Sequence, residues 1–168
     1  ALLAKQKSIG DTANGLGITI GNPNAKYRLT KVCNPYCGPC ARAHPVMEEL
    51  LENNDDLQIQ IIFTATDKEG DPRANPVNHL LAVASYGDEK LTKQALNDWY
   101  NAPVKDYDVF AAKHLQYSPP SGGQGEALKQ MSDWCDETKI AFTPTFFVNG
   151  FQLPEMYSVA DLKYFLTT

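Results

Sequence analysis

Three stretches in the first 64 residues have the pattern of buried strands, because apolar and β-branched residues dominate each of them. They cover residues 18–20, 27–32 and 57–64, and the sequence Gly21-Asn22-Pro23-Asn24 predicts a turn between the first two. Between the second and third stretches, from about residue 37 to residue 53, apolar side chains recur at helical spacing. The pattern therefore predicts a strand followed by a β-α-β unit.

The middle of the chain, from about residue 73 to residue 139, predicts helices. Its apolar residues form three stripes at the spacing of a helix face, which is typical of core packing. Proline and glycine interrupt the pattern at Pro103 and over residues 118–123. The stripes are Val77, Leu80, Leu81 and Ala84, then Leu91, Ala95 and Trp99, and finally Leu128, Met131 and Cys135.

Strand patterning returns near the end of the chain. Residues 142–148 and 151–153 flank Asn149-Gly150, a dipeptide typical of a tight hairpin. Ser158 with Asp161 has the spacing of a capped helix start, and the helix that follows would bury Val159, Leu162, Phe165 and Leu166. The predicted order is thus a strand, a β-α-β unit, several helices, a β-hairpin and a closing helix.

Composition limits the classes of function. The chain has 168 residues, enough for one well-packed domain, and a net charge of -5. Such an acidic chain is unsuited to nucleic acid, since that partner needs clustered Lys and Arg. No apolar run reaches membrane-spanning length, so we expect a soluble chain. It begins without an initiator methionine or a signal peptide, so we expect a mature or excised segment.

The most informative motif is Cys37-Gly38-Pro39-Cys40. Two cysteines two residues apart can close a small disulfide ring, and the predicted helix starts at the first of them. A thiolate at the start of a helix faces the positive end of the helix dipole, so we expect the pKa of Cys37 to lie below that of a free thiol. Cys40, one turn into the helix, is better shielded and suits the resolving role. Exchange between thiols and disulfides needs no metal and no diffusible cofactor.

Metal binding is an alternative for these cysteines. Zinc needs a second pair of ligands, and the remaining candidates are scattered: Cys33, Cys135, His44, His79 and His114. The spacing Cys33-x3-Cys37-x2-Cys40 also matches the iron–sulfur motif of radical-SAM enzymes. The chain has too few β-α units for the barrel of those enzymes, and no glycine-rich stretch placed to bind their cofactor. We therefore predict no metal at the motif.

Three stretches of the sequence together resemble the thioredoxin superfamily. They are VCNPYCGPCARAHP at residues 32–45, Trp134-Cys135, and FTPTFFVNG at residues 142–150, which runs on to Leu153-Pro154. Within the superfamily the chain looks like the DsbA-like domains attached to bacterial vitamin K epoxide reductase (VKOR) homologues. The resemblance implies an α/β thioredoxin fold, with a central mixed β-sheet flanked by helices, in a single domain over residues 1–168. Residues 1–17 would be an N-terminal extension or linker, and about 73–139 a helical insertion before the cis-proline strand.

The resemblance also implies an activity and a site. The chain would be a periplasmic, extracytoplasmic thiol-disulfide oxidoreductase that exchanges a Cys37/Cys40 disulfide with cysteines of substrate proteins. A VKOR-type membrane partner, separate or joined to this chain, would reoxidise the pair. Thr143-Pro144 would be the cis-proline loop that presents its backbone to a substrate strand. The substrate-binding residues would be Tyr36, Gly38, Pro39, Thr143 and Pro144.

Two alternatives stay open within the resemblance. Cys33 and Cys37 match the CxxxC pair of thioredoxin-fold copper chaperones, although these also need a distal histidine, and His79 and His114 fall in the helical insertion. The direction of electron flow is also open. Gly-Pro between the cysteines is the dipeptide of a reductant, whereas the large insertion and Lys31 favour an oxidant. The sequence therefore leaves two roles open: the chain acts as an oxidant of thiols, or it acts as a reductant or isomerase of disulfides.

The chain departs from its relatives at Lys31, six residues before Cys37, where thioredoxin carries a buried acid. A lysine under the sulfurs would favour the thiolate, but the cost of burying an ammonium favours a side chain that reaches solvent. His44, on the helix face that carries both cysteines, either tunes the thiols or is a core residue. Cys33 and Cys135 either form a second disulfide or are two separate buried thiols, and we favour the thiols.

Overall fold

The computed structural model describes residues 6–117, 125–154 and 157–166. Its strands are β1 (Ile18–Gly21), β2 (Tyr27–Cys33), β3 (Leu57–Phe63), β4 (Thr145–Val148) and β5 (Phe151–Gln152). They form one sheet in the order β1-β3-β2-β4-β5, with β2 parallel to β3 and the other neighbours antiparallel. The predicted fold class, a mixed sheet flanked by helices, is confirmed.

The central strand of the sheet is β2. It lies between β3 and β4, so that Lys31 is opposite Ile61 on one side and Phe146 on the other. Its last five residues, from Leu29 to Cys33, are all buried. The strand β2 therefore ends inside the core, shortly before the cysteine motif begins.

Helices occupy the connections from β2 to β3 and from β3 to β4, and one more follows β5. They are α1 (Gly38–Asn53), α2 (Ala74–Ala84), α3 (Glu89–Tyr100), α4 (Tyr107–Lys113), α5 (Gly125–Thr138) and α6 (Lys163–Leu166), with 3₁₀ turns at Leu115–Tyr117 and Val159–Leu162. The helix α1 is the crossover that two parallel strands require, and α2 to α5 separate β3 from β4. The predicted loop at residues 118–123 lies outside the described residues, as does the side chain of Phe165.

The helix α1 begins directly after Cys37, whose backbone is still extended (φ -76°, ψ 126°). Pro39 fits the first turn because that turn has no intrahelical partner for an N–H. The helix then continues through Pro45. Its buried residues are Cys40, Ala43, His44, Met47 and Leu50, so the second cysteine of the motif belongs to the core.

The helical region is less continuous than the sequence pattern predicted. The side chain of Asp88 accepts a hydrogen bond from the N–H of Leu91, and the carboxylate of Asp106 likewise caps α4. Each cap starts a new helix and breaks the predicted run. The helix α3 packs against α1 and α2, and its last two residues, Trp99 and Tyr100, are almost fully buried.

The described part of the N-terminal segment, residues 6–17, packs against the rest of the domain. Ile9 and Ala13 are buried in the core. The N–H of Ile9 donates to the carbonyl of Gly150 at 2.8 Å, and Nε1 of Trp134 donates to Oγ1 of Thr12 at 3.0 Å. The described part of the segment is packed onto the domain because its apolar residues cover one end of the sheet.

The hairpin between β4 and β5 turns at Asn149 and Gly150, whose φ angles of 49° and 85° are those a two-residue hairpin requires. The predicted strand from residue 142 starts too early, since β4 begins only at Thr145. Pro144 has no N–H to contribute to a strand ladder, so the chain before it stays irregular. Phe142 is left 44% exposed in that loop.

Candidate redox site

The loop from β2 to α1 holds Cys37 at the protein surface and Cys40 below it. Cys37 is partly exposed, whereas Cys40 is 0% exposed. Asn34 fixes the loop, because its side chain accepts from the N–H of Tyr36 at 2.9 Å and its carbonyl accepts from the N–H of Cys37 at 3.1 Å. All four cysteines of the chain, these two included, are free thiols.

The helical region supports the same loop from below. Nε1 of Trp99 donates a buried hydrogen bond to the carbonyl of Pro35 at 2.8 Å. The ring of Tyr36 meets the ring of Trp99 edge-on, with 5.4 Å between centroids. In the sequence pattern Trp99 belongs only to a stripe of core residues. Its contact with the loop joins residues 64 positions apart, which no local pattern reveals.

Thr143 approaches the cysteine motif from the opposite side. The pairing of β2 with β4 places Val32 opposite Thr145, so the residues before β4 lie beside the residues after β2. The carbonyl of Thr143 accepts a hydrogen bond from Sγ of Cys37 at 3.5 Å. The Thr143-Pro144 peptide bond is cis. The structure thus brings Thr143 and Pro144 to the exposed cysteine.

The remaining residues assigned to substrate binding surround Cys37. Tyr36, Gly38 and Pro39 are exposed, and the hydroxyl of Tyr36 donates to the carbonyl of Pro72 at 3.3 Å. Phe142, which sequence analysis did not single out, adds an exposed aromatic ring beside Thr143. Together these side chains form a mixed apolar and polar surface around the one partly exposed thiol of the motif.

The expectation of a lowered pKa at Cys37 is wrong. Loss of hydration raises the pKa of the Cys37 thiol above its usual value, and hydrogen bonds from the Thr143 side chain and from the N–H of Cys40 offset only part of that rise. Pro39 in the first helical turn has no N–H, so the helix start offers the sulfur fewer donors than an ordinary one.

Lys31 is fully buried, which overturns the preference for a side chain that reaches solvent. Its exposed fraction is 0%. Its Nζ donates to the carbonyl of Cys40 at 2.9 Å and lies 4.3 Å from the ring centroid of Tyr100. The carbonyl and the aromatic face compensate part of the cost of burial. The ammonium therefore lies beneath the cysteine motif.

Cys33 is the third thiol of this site and is fully buried. Its Sγ lies 2.8 Å from the hydroxyl of Tyr100 and is in hydrogen-bonding contact with the thiol of Cys40. Burial by itself raises the pKa of Cys33, but the hydrogen bond from Cys40, the charge of Lys31 and the hydrogen bond from Tyr100 together lower it below the usual value. The same contact with Cys33, together with burial, raises the pKa of Cys40.

Cys135 lies apart from this group, in α5 near Arg73 and Asp136. Burial raises the pKa of its thiol to about 12. Cys33 and Cys135 are therefore two separate buried thiols, as favoured from the sequence.

His44 is a core residue. Its Nε2 donates to Oδ1 of Asn97 at 2.8 Å, and its ring stacks on Tyr100 with centroids 5.3 Å apart. Burial first, and then the charge of Lys31, lower the pKa of His44 to about 4. The imidazole is neutral at pH 7 and meets the thiols only through Tyr100, so the structure gives it no direct tuning role.

The histidines that a copper site would need are engaged elsewhere. Nδ1 of His79 bonds the hydroxyl of Tyr107 and its Nε2 bonds the carbonyl of His114, while Nε2 of His114 bonds Asp98 at 2.8 Å. Across the described ranges, no three His, Cys, Asp or Glu side chains are grouped so as to hold a metal ion. The Sγ of Cys33 points inward to Tyr100, which does not suit shared ligation with Cys37.

A mixed sheet, a CxxC motif at the start of α1, and a cis-proline loop facing it define a thioredoxin-like domain with a helical insertion. The family model described as Thioredoxin matches residues 13–168. The chain belongs to that family. No curated protein matches its sequence.

Solved structures share the fold at low identity. The catalytic domain of Proteus mirabilis ScsC is 16% identical with a TM-score of 0.76, over 94% of this chain and 92% of that one. The thiol-disulfide exchange protein alpha-DsbA2 from Wolbachia pipientis is 11% identical with a TM-score of 0.70, over 94% and 89%. A periplasmic thioredoxin-like protein from Salmonella enterica serovar Typhimurium is 14% identical with a TM-score of 0.68, over 94% and 92%. These likenesses show the fold. None of the described helices has the length and apolar character of a membrane span.

Proposed function

We propose that the chain is a thiol-disulfide oxidoreductase acting on cysteines of other proteins. The observation that carries this proposal is the unequal exposure of Cys37 and Cys40, with Thr143 beside the exposed one. In the reducing direction, Cys37 attacks a substrate disulfide and forms a mixed disulfide, and Cys40 then attacks Cys37 and releases the substrate as a thiol. In the oxidising direction the same steps run in reverse, starting with attack of a substrate thiolate on Cys37 of the Cys37/Cys40 disulfide. A substrate strand has room beside the backbone of Thr143.

A groove next to the cis-proline loop is suited to apolar substrate side chains. Phe142, Pro144, Leu153 and Val159 line it, and Phe142 is the most exposed of the four. Such a groove adds affinity without demanding one sequence, which suits an enzyme that meets many partly unfolded proteins. We therefore propose proteins with exposed cysteines next to apolar residues as the substrates.

The setting is proposed as outside the cytoplasm, with a VKOR-type membrane protein as the oxidant of the Cys37/Cys40 pair. The support is the sequence resemblance together with the described fold, which is shared with a protein named as periplasmic. In that scheme substrate electrons pass to the Cys37/Cys40 disulfide and then to the membrane partner. Mixing the reduced protein with membranes that contain the partner should restore the disulfide, and Cys37→Ser should block the transfer.

A reductant or isomerase role is the second candidate, and two features favour it. The motif contains Gly38-Pro39, and the pKa of Cys37 is raised by burial. A less stable thiolate makes the reduced pair less stable and its potential more negative. A potential near the thioredoxin value of about -270 mV supports a reductant, and one near the DsbA value of about -120 mV supports an oxidant.

The activity itself is tested by turnover of a disulfide-bonded protein with a small dithiol as the reductant. We expect the chain to accelerate the reduction and Cys37→Ser to abolish the acceleration. Cys135→Ser is the matched control, because it removes a buried thiol far from the motif and should leave turnover unchanged. No acceleration by the intact chain, in either the reducing or the oxidising direction, would refute the proposed function.

A further inference from the structure

Lys31 places an ammonium group inside the core of the protein, where water cannot solvate it. A fully buried ammonium needs an opposite charge nearby, because leaving it unpaired in the core is costly. In the ranges that the structure describes, Arg73 pairs with Asp71 and Lys129 with Asp133, and the imidazoles of His44 and His114 contact Glu48 and Asp98. No carboxylate in those ranges pairs with Lys31, so its counter-charge is of another kind.

The groups around Lys31 limit which side chain can carry the balancing negative charge. Its Nζ faces the carbonyl of Cys40 and the ring of Tyr100. The Tyr100 hydroxyl stays protonated, since burial and the neighbouring thiols raise its pKa well above the usual value. Cys33 is two residues from Lys31 on β2, so both side chains lie on the same face of the sheet. Of the three thiols in this site, Cys33 alone has a lowered pKa, whereas the pKa values of Cys37 and Cys40 are raised, so Cys33 is the thiol best suited to balance the charge.

The groups around Cys33 favour a negatively charged sulfur, because they supply hydrogen-bond donors and a positive charge. The Tyr100 hydroxyl lies 2.8 Å away and keeps its proton, so it can donate to a thiolate at Cys33, and the thiol of Cys40 is a second donor. The titratable groups that face it are Lys31 from its own strand, Cys37 and Cys40 from the start of α1, and Tyr100 from α3. Of these only Lys31 carries a full charge when the others are protonated.

We propose that Cys33, held as a thiolate by Lys31 and Tyr100, accepts the proton of Cys40 when Cys40 attacks the mixed disulfide. This inference rests on the proposed function and adds the proton acceptor to it. It also replaces the buried acid that the resemblance led us to expect at position 31, because the cation at that position makes a neighbouring thiol the base.

The step balances in atoms, electrons and charge. The proton moves from Sγ of Cys40 to Sγ of Cys33, and the Cys40 thiolate attacks Sγ of Cys37. The bond between Cys37 and the substrate sulfur breaks, the substrate leaves as a thiolate, and the Cys37–Cys40 disulfide forms. When that disulfide is next opened, Cys40 leaves as a thiolate and takes the proton back from Cys33. Cys33 thus serves the proton of Cys40 in both directions, whereas the proton of Cys37 exchanges with solvent at the partly exposed sulfur.

A kinetic experiment separates the two chemical steps. The reduced protein is mixed with an aromatic disulfide that releases a coloured thiol, once when Cys37 attacks and again when Cys40 resolves the adduct. We expect Cys33→Ser to leave the first release unchanged and to slow the second by about 100-fold, the lower end of general-base effects. The second release should also become steeper with pH in the variant, because Cys40 must then lose its proton to solvent. Cys135→Ser should change neither release.

The outcomes distinguish the inference from the function on which it rests. If the unaltered protein gives no first release, the proposed function fails. If the first release occurs and Cys33→Ser leaves the second and its pH profile unchanged, Cys33 is not the proton acceptor. The unchanged first release also reports that the variant is folded. Should Cys33→Ser not fold, Lys31→Met tests the same point, since removal of the cation should slow the second release selectively, and equal rates would overturn the proposal.

The thiolate itself is tested by ultraviolet absorbance. In the Cys37→Ser/Cys135→Ser protein, which retains Cys33 and Cys40, we expect one thiolate equivalent at pH 7. Adding Cys33→Ser should remove that absorbance. No thiolate at pH 7 in the first protein, or an undiminished signal in the second, would contradict a charged Cys33.

Discussion

The hydroxyl of Tyr100 lies 2.8 Å from Sγ of Cys33, so the last residue of α3 touches the end of β2 beneath the redox site. Trp99, its neighbour in the chain, holds the Pro35 carbonyl in the loop above. Two consecutive residues of the insertion therefore support both layers of the site.

Replacement of Tyr100 by Phe should weaken the site while keeping the packing of the ring. A hydrogen bond to a charged group contributes about 1.5–3 kcal/mol, so we expect the free energy of unfolding of the reduced protein to fall by about 2 kcal/mol and the second thiol release to slow. Denaturant unfolding and the two-step kinetics measure these effects. Tyr107→Phe is the matched control, because it removes the hydroxyl that bonds His79 far from the cysteines. A slowed second release in the control as well would show that lost stability alone explains the kinetics.

The raised pKa of Cys37 predicts a particular pH profile for alkylation. The thiolate is the reactive form, so a pKa above that of a free thiol, about 8.5, means slow reaction at neutral pH and a rate that still rises above pH 8.5. Iodoacetamide rates for the Cys40→Ser/Cys33→Ser/Cys135→Ser protein, with Cys37 alone, give the profile. Half-maximal reactivity below pH 8.5 would contradict the effect of burial.

Lys31→Met should leave that alkylation profile nearly unchanged. From the sequence, a lysine buried under the sulfurs was expected to lower the pKa of Cys37 itself. In the structure its Nζ contacts the carbonyl of Cys40, and its charge lowers the pKa of Cys33. Comparing iodoacetamide rates with and without the substitution tests this placement, and a clearly raised pKa of Cys37 in the variant would restore the earlier expectation.

His44 predicts a loss of stability in mild acid. Its pKa is about 4 in the folded protein and about 6.5 in an unfolded chain. Below pH 6.5 the unfolded chain therefore binds a proton that the folded protein does not. As the pH falls from 6.5 to 4, this difference should lower the free energy of unfolding by up to about 3 kcal/mol.

Denaturant unfolding between pH 6.5 and pH 4 measures this loss in the free energy of unfolding. His44→Gln should remove this part of the loss, whereas His114→Gln, at a second buried histidine that contacts Asp98 of α3, should retain it. Equal acid sensitivity of the His44→Gln protein and the unaltered protein would show that His44 is not the source.

The elements that position the motif follow from local pattern. The alternation and apolar runs around Leu29 and Ile61 predict β2 and β3, and the spacing of Met47 and Leu50 predicts α1, because burial in a β-α-β unit imposes these periods on the sequence. The Asn149-Gly150 turn is equally local. Thr143 reaches Cys37 through the pairing of β2 with β4, so only a resemblance to a known fold places it there in advance.

The chemistry of the buried layer does not follow from local pattern. Lys31 was expected to reach solvent because burying an ammonium is costly, and the groups that lower this cost are distant or unremarkable in sequence. Tyr100 is 67 residues from Cys33, and nothing in its own segment marks it. The pKa of Cys37 was also predicted in the wrong direction. The prediction considered the helix dipole alone, whereas the folded loop also removes water from the sulfur, and this desolvation raises the pKa.

The central claim is that Cys37 attacks and Cys40 resolves. The most direct measurement is peptide mapping, by mass spectrometry, of the Cys40→Ser and Cys37→Ser proteins after each has met a substrate containing one reactive disulfide. We predict a stable adduct on Cys37 in the Cys40→Ser protein and none on Cys40 in the Cys37→Ser protein, since Cys40 is 0% exposed. An adduct on Cys40, or none in either protein, would contradict the account.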